Sequence, residues 1–93
     1  MIVVWDSDKA KANLIKHGVD FADAAVALED PNALTISDRD HGEYRYRSLA
    51  LSPSSNILLI IHAEEDENSI RIISARQAGK KEEVQYFKGD YHE

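Results

Sequence analysis

The spacing of hydrophobic positions changes near Pro31, dividing the chain into a helical part and a strand-forming part. Ile2 to Trp5 is short, apolar and β-branched, which suits an opening strand. Asp6 or Ser7 offers an N-cap for a helix running to about His17. On that helix Ala10 and Leu14, with Ala12 or Ile15, are expected to face inward, and Lys9, Asn13 and Lys16 outward. Gly18 stands where a glycine ends a helix, and Lys16 and His17 occupy the last turn, where positive charge suits the dipole. Asp20 caps a second helix over about 21–29, with Phe21, Ala24, Ala25 and Leu28 on one face. Asp30-Pro31-Asn32 stops it.

Beyond Pro31 the pattern is that of strands. Ala33 to Ser37 is expected to be one, followed by a polar turn over 38–42 and a second strand from Glu43 to Leu51. A tight connection over 52–56 leads to Ile57–His62, which is apolar on both faces and so belongs in the middle of a sheet. Residues 64–68 form the next hairpin loop, Ser69 to Ala75 the last strand, and about Lys80 to Phe87 a final helix. The order β-α-α-β-β-β-β-α predicts an α+β fold. Two N-terminal helices would pack on an antiparallel sheet of four to five strands, with a C-terminal helix. No repeat, linker or low-complexity segment intervenes, so residues 1–93 read as a single domain.

Composition narrows the functional classes. The chain has no cysteine, hence no disulfide framework and no thiolate metal site. Its start lacks a basic segment before a long apolar run, so it does not read as a signal peptide, and its longest apolar run is far below a membrane span. A soluble, cytoplasmic protein with no membrane association is expected. The net charge of −6 runs against nucleic-acid binding, which usually leaves a basic footprint. Charge is uneven, however: Arg45, Arg47, Arg71, Arg76, Lys80 and Lys81 all lie in the second half, beside the acidic run Glu64–Glu67.

Four stretches stand out: Trp5-Asp6 with Lys9, Asn13 and Lys16-His17-Gly18; Phe21 with Ala24; His41 with Glu43 and Arg45; and Arg71-Ile72-Ile73-Ser74-Ala75-Arg76 with Ala78, Glu82 and Tyr86. Together they resemble the BrnT family of ribonuclease toxins. The resemblance spans residues 5–86. It implies a compact RelE-like fold with a curved sheet, and RNA cleavage without a metal or other cofactor. It also implies a cognate BrnA-like ribbon-helix-helix antitoxin, with DNA bound only through the toxin–antitoxin complex. The chain departs from the family pattern in three places. Lys80-Lys81-Glu82-Glu83-Val84-Gln85 replaces an arginine-rich stretch, Ala63-Glu64-Glu65 replaces threonine, acid and arginine, and Ala50 replaces a glycine.

A metal-free ribonuclease must activate the ribose 2′-hydroxyl, stabilise charge on the phosphorane-like transition state and protonate the leaving oxygen. Arginine suits the second task, because its planar fork stays charged and pairs with phosphate bidentately. Histidine or glutamate suits the proton transfers. The catalytic candidates are therefore Arg71, Arg76, His62 and Glu82, and the RNA-binding candidates Arg45, Lys16, His17 and Tyr86. Each also has a plain structural role. In a straight strand Arg71 and Arg76 point to opposite faces, so they share a site only if the strand bends or Arg76 lies past its end; either could instead pair with Glu64 or Glu82. Arg45, on the strand face of Arg47 and Leu49, could be a solvated rim residue. His62, ending an apolar strand, could be a hydrogen-bonded core residue. Tyr86, on one helix face with Glu82, could stack on a base or pack the helix onto the sheet. Lys16 and His17 could contact phosphate or simply complement the helix dipole. Asp38, Asp40 and His41 lack a fourth ligand and read as a surface turn, not a metal site.

Two functions from different classes fit these residues. One is a metal-independent endoribonuclease that cuts RNA and arrests translation. The other is a catalytically weakened binding module that works with its antitoxin in promoter autoregulation.

Overall fold

The computed structural model describes residues 1–38 and 44–92. Strand β1 (Ile2–Val4) leads to helices α1 (Ser7–His17) and α2 (Phe21–Ala27), strands β2 (Leu34–Asp38), β3 (Arg45–Leu51), β4 (Ile57–Asp66) and β5 (Ser69–Gln77), and helix α3 (Lys80–Lys88). The strands form one sheet in the order β1-β5-β4-β3-β2. Consecutive strands from β2 to β5 pair antiparallel, as hairpin connections require, whereas β1 joins β5 in parallel. The fold is thus α+β with a mixed sheet. Among the described residues no helix is long and apolar enough to cross a membrane.

Local chemistry fixes the helix ends. The Asp6 carboxylate accepts the N–H groups of Asp8 and Lys9 at 2.8 and 3.1 Å, satisfying donors that the first turn leaves open. Gly18 closes α1 with φ 71°, a conformation glycine adopts without steric cost. Helix α2 ends at Ala27, two residues earlier than its apolar pattern suggests. The Asp30 carboxylate accountably turns the chain there: it accepts the N–H of Asn32 at 2.9 Å and that of Leu51 on β3 at 2.9 Å.

The sheet carries a core on each face. On one side Val19, Phe21, Ala24 and Ala27 pack on Ala50, Leu58, Ile60, Ile72 and Ala75. On the other, Tyr86 of α3 packs on Leu49, Ile57 and Leu59, with Ile61, Ala78 and Tyr91 alongside. Strand β4 alternates between the two cores, which explains why its sequence is apolar throughout. It also extends to Asp66, through residues expected to form a loop. Backbone pairing continues past the core, with Glu64 opposite Ile70, and the Asp66 carboxylate closes a short turn on the N–H of Asn68 at 2.9 Å.

Helix α1 is oriented differently from the sequence expectation. Leu14 and Ile15 are exposed, and Asn13 is buried. The Asn13 amide donates to the carbonyls of Ala75 and Val19 at 2.8 and 3.0 Å, and its oxygen accepts the Ala75 N–H at 3.1 Å. Strand β1 covers β5 only from Ser69 to Arg71. Farther along, this side chain stands in for the missing strand and satisfies backbone groups that would otherwise be buried unpaired. Hydrophobic periodicity does not foresee a polar residue recruited inward for that purpose.

Truncating Asn13 to alanine strands three backbone partners. Asn13→Ala should destabilise the protein by roughly 2–3 kcal/mol, measured by urea unfolding. A change below about 0.5 kcal/mol, the range of neutral surface substitutions, would show that the amide does not hold α1 to β5.

Candidate functional site

A bulge in β5 sets the geometry of the site. Ile61 lies opposite Ser74, yet the next residue of β4, His62, lies opposite Ile72. Ile73 is therefore an extra residue, and it reverses the side-chain alternation of β5. Arg71 pairs with Ala63 and Arg76 with Leu59, positions that share one face of β4. The bend needed to bring Arg71 and Arg76 to a common face is this bulge.

The neighbouring strand adds two more arginines to that face. Arg45 lies opposite Ala63, and Arg47 opposite Ile61. Three cross-strand rows result: Arg45, Ala63 and Arg71; Arg47, Ile61 and Ser74; Leu49, Leu59 and Arg76. Arg45 and Arg71 flank β4, about 10 Å apart from backbone to backbone at ordinary strand spacing. Helix α3 packs over the end of the face at Leu49 and Leu59, and so brings Glu82 beside Arg76.

Carboxylates and an aromatic ring orient these cations. Arg76 Nη1 and Nη2 donate to Glu82 Oε1 and Oε2 at 2.9 and 3.0 Å, a bidentate pair. Glu82 Oε1 also accepts the Gly79 N–H at 2.7 Å. Burial by itself raises the Glu82 carboxyl. The hydrogen bonds from Arg76 and Gly79, together with the charges of Arg76 and Arg47, outweigh it and hold the group below its ordinary value. Arg71 Nε donates to Glu65 at 3.1 Å. The Arg47 guanidinium carbon lies 5.9 Å from the centre of the Tyr91 ring, within cation–π range. Burial pushes the Tyr91 hydroxyl upward, partly offset by Arg47.

Of the residues singled out from sequence, Arg45, Arg71, Arg76 and Glu82 come together on this face. His62 does not. It shares the α1/α2 face with Tyr46 and Ile72, its pairing partners on either side. Its Nε2 bonds Ser48 Oγ at 2.8 Å, and Ser48 Oγ bonds Thr35 Oγ1 at 2.7 Å. The Tyr46 ring stacks on the imidazole with centroids 5.8 Å apart. Nδ1 is buried with no hydrogen-bond partner among the described residues. Burial pushes the imidazole down to about 4, so it is neutral near pH 7.

Lys16 and His17 end α1, which packs on that same opposite side, and both are exposed. Tyr86 is buried; its hydroxyl donates to Asp30 Oδ2, tying α3 to the turn after α2. Burial and the Asp30 carboxylate together push that hydroxyl up to about 12. Its ring is committed to packing α3 onto the sheet. Asp40 and His41, considered as part of a metal site, lie outside the described residues, as does Glu43. Two members of the arginine face were not among the candidates from sequence. Arg47 had a legible signal, the alternation it shares with Arg45. Tyr91 had none, because a chain reversal at Gly89 (φ 70°) returns it to the sheet.

The His62 environment makes stability depend on pH. Its folded-state value lies below the free value of 6.5, so on acidification the unfolded chain takes up the proton first. Stability is complete above about pH 6.5 and declines as pH falls towards 4. Between pH 7 and 5 the wild type should lose about 2 kcal/mol more than His62→Gln, which keeps a partner for Ser48. Equal losses in denaturant titrations at the two pH values would contradict a buried, neutral imidazole.

Comparison with known proteins agrees with this architecture. The crystal structure of the Brucella abortus ribonuclease toxin BrnT matches with a TM-score of 0.70 and 26% sequence identity, covering 86% of this chain and 99% of that one. No curated protein matches. The model of the family described as "Ribonuclease toxin, BrnT, of type II toxin-antitoxin system" matches residues 5–82, from just after β1 into α3. By this match the chain belongs to the BrnT family of type II toxin–antitoxin systems.

Proposed function

We propose that residues 1–93 act as one toxin domain, a metal-independent endoribonuclease that cuts RNA in the cytoplasm and arrests translation. The observation that carries this reading is that Arg45, Arg47, Arg71 and Arg76 share one sheet face, the last two brought together by the bulge at Ile73. Phosphoryl chemistry without a metal needs fixed cationic donors where charge develops, and arginine forks supply them. Arg76 would stabilise the transition state, while Arg45, Arg47 and Arg71 hold the flanking backbone. A BrnA-like ribbon-helix-helix antitoxin would block the toxin, and promoter DNA would be bound through that complex. Family membership supports this pairing.

A second reading has an observation of its own. Glu82 and Glu65 already occupy donors of Arg76 and Arg71, which lowers the net positive charge of the face. A family member weakened in this way would serve as a binding module in autoregulation. Inducible expression with and without the neighbouring gene, followed by analysis of RNA integrity, separates the two. Growth arrest with RNA cleavage, relieved by the neighbour, is expected. Intact RNA and normal growth on expression alone would favour the binding module.

For the enzyme, Arg76→Lys keeps the charge but cannot reproduce the fork. Cleavage should fall about a hundredfold, equivalent to roughly 3 kcal/mol of transition-state stabilisation, with the fold retained by circular dichroism. Full activity in this variant would remove Arg76 from the site. Binding of single-stranded RNA should depend only modestly on salt. With four arginines, the slope of log affinity against log salt should be no steeper than about −3. A markedly steeper slope would place the RNA on a different surface.

A further inference from the structure

A guanidinium has two edges that can each grip an anion: the end formed by Nη1 and Nη2, and the side formed by Nε and Nη2. In Arg76 the end is taken. Nη1 donates to Glu82 Oε1 and to the Gln77 carbonyl at 3.1 Å, and Nη2 donates to Glu82 Oε2. The side is not: Nε–H and the second Nη2 hydrogen have no hydrogen-bond partner among the described residues. The Arg76 side chain is 42% exposed, so this edge has room to meet solvent or a ligand, whereas Glu82 is only 18% exposed. Glu82 is held from both sides, by Arg76 and by the Gly79 N–H at the start of α3.

We infer that Glu82 is a positioning residue, which fixes Arg76 end-on so that its side edge is presented to an RNA phosphate. The inference rests on the ribonuclease reading and gives Glu82 a role other than proton transfer. A carboxylate that already accepts three hydrogen bonds, from Arg76 Nη1, Arg76 Nη2 and Gly79, has few lone pairs left for a substrate proton. Its depressed basicity also reduces the driving force for taking one. The pair does something that charge alone does not. It fixes the plane of the guanidinium, and hence the direction from which a phosphate can be bound by two hydrogen bonds.

The test uses the full chain with Glu82→Gln, which keeps one acceptor for Arg76, and Glu82→Ala, which keeps none. Both are checked for native circular dichroism. Orientation predicts a graded loss of RNA cleavage, roughly tenfold for Gln and roughly a hundredfold for Ala, with the pH–rate profile unchanged in shape. A general base predicts equal losses and disappearance of the acidic limb, and that result overturns the inference. Binding of a single-stranded 2′-O-methyl oligonucleotide gives the second readout. Loss of orientation in Glu82→Ala should weaken it roughly fivefold. If Glu82 merely competes with phosphate for Arg76, the same variant binds more tightly, which also overturns the inference. A wild-type chain that binds this oligonucleotide without cutting RNA tells against the ribonuclease reading, while the binding result still decides the role of Glu82. A wild type that neither binds nor cuts overturns both.

Discussion

The pairing of the Asn13 amide with the backbone of Ala75 holds the structure together at its most consequential point. It fastens α1 to β5 two residues beyond the bulge at Ile73 and one residue before Arg76. A bulge loosens a strand, because the extra residue leaves the ladder and increases the local twist. Here the strand is gripped again immediately, from the edge that β1 leaves uncovered. With its backbone fixed, Ala75 turns into the core beneath α1 and α2, and its neighbour Arg76 must point to the opposite face. One buried polar side chain thus links the helical layer to the orientation of a functional candidate on the far side of the sheet.

That arrangement reconciles an acidic protein with a local cluster of arginines. Net charge governs long-range attraction, but a phosphate binds to local donors held at fixed positions. The sheet provides the fixed positions, and the rows of β3, β4 and β5 set the arginines at strand spacing around an apolar middle of Ile61 and Ala63. Acidic neighbours lower the total charge while restricting rotation. A free arginine samples many rotamers and loses that freedom on binding; one held by a carboxylate has already lost it. The cost is weaker attraction, and the return is a defined direction of approach.

Much of this was legible in the sequence, and the remainder was hidden for specific reasons. The change of period near Pro31, the Asp6 and Asp20 caps and the doubly apolar β4 all reflect local rules, and they predicted the order of elements. The parallel partnership of β1 with β5 is a contact between chain ends, which no local pattern encodes. Hydrophobicity turns Asn13 outward, whereas its inward role depends on unsatisfied backbone groups contributed by β5. Arg71 and Arg76 conflict in a straight strand, and nothing in the run Ile72-Ile73-Ser74 announces which residue bulges. In the sequence His62 and Glu82 are equivalent as proton carriers, and the sheet separates them onto opposite faces. His62 ended in a hydroxyl chain with Ser48 and Thr35, and Glu82 beside Arg76.

If the sheet face of Arg45, Arg47, Arg71 and Arg76 receives the RNA, an NMR titration with a non-cleavable single-stranded oligonucleotide, following backbone amides and arginine Nε–Hε signals together, should show it. Saturable shifts are expected at the side chains of Arg45, Arg47, Arg71 and Arg76, with the backbone amides of Lys16, His17 and His62 on the opposite side unperturbed. Amide shifts confined to α1, or binding with no shift at the four arginines, would place the RNA elsewhere.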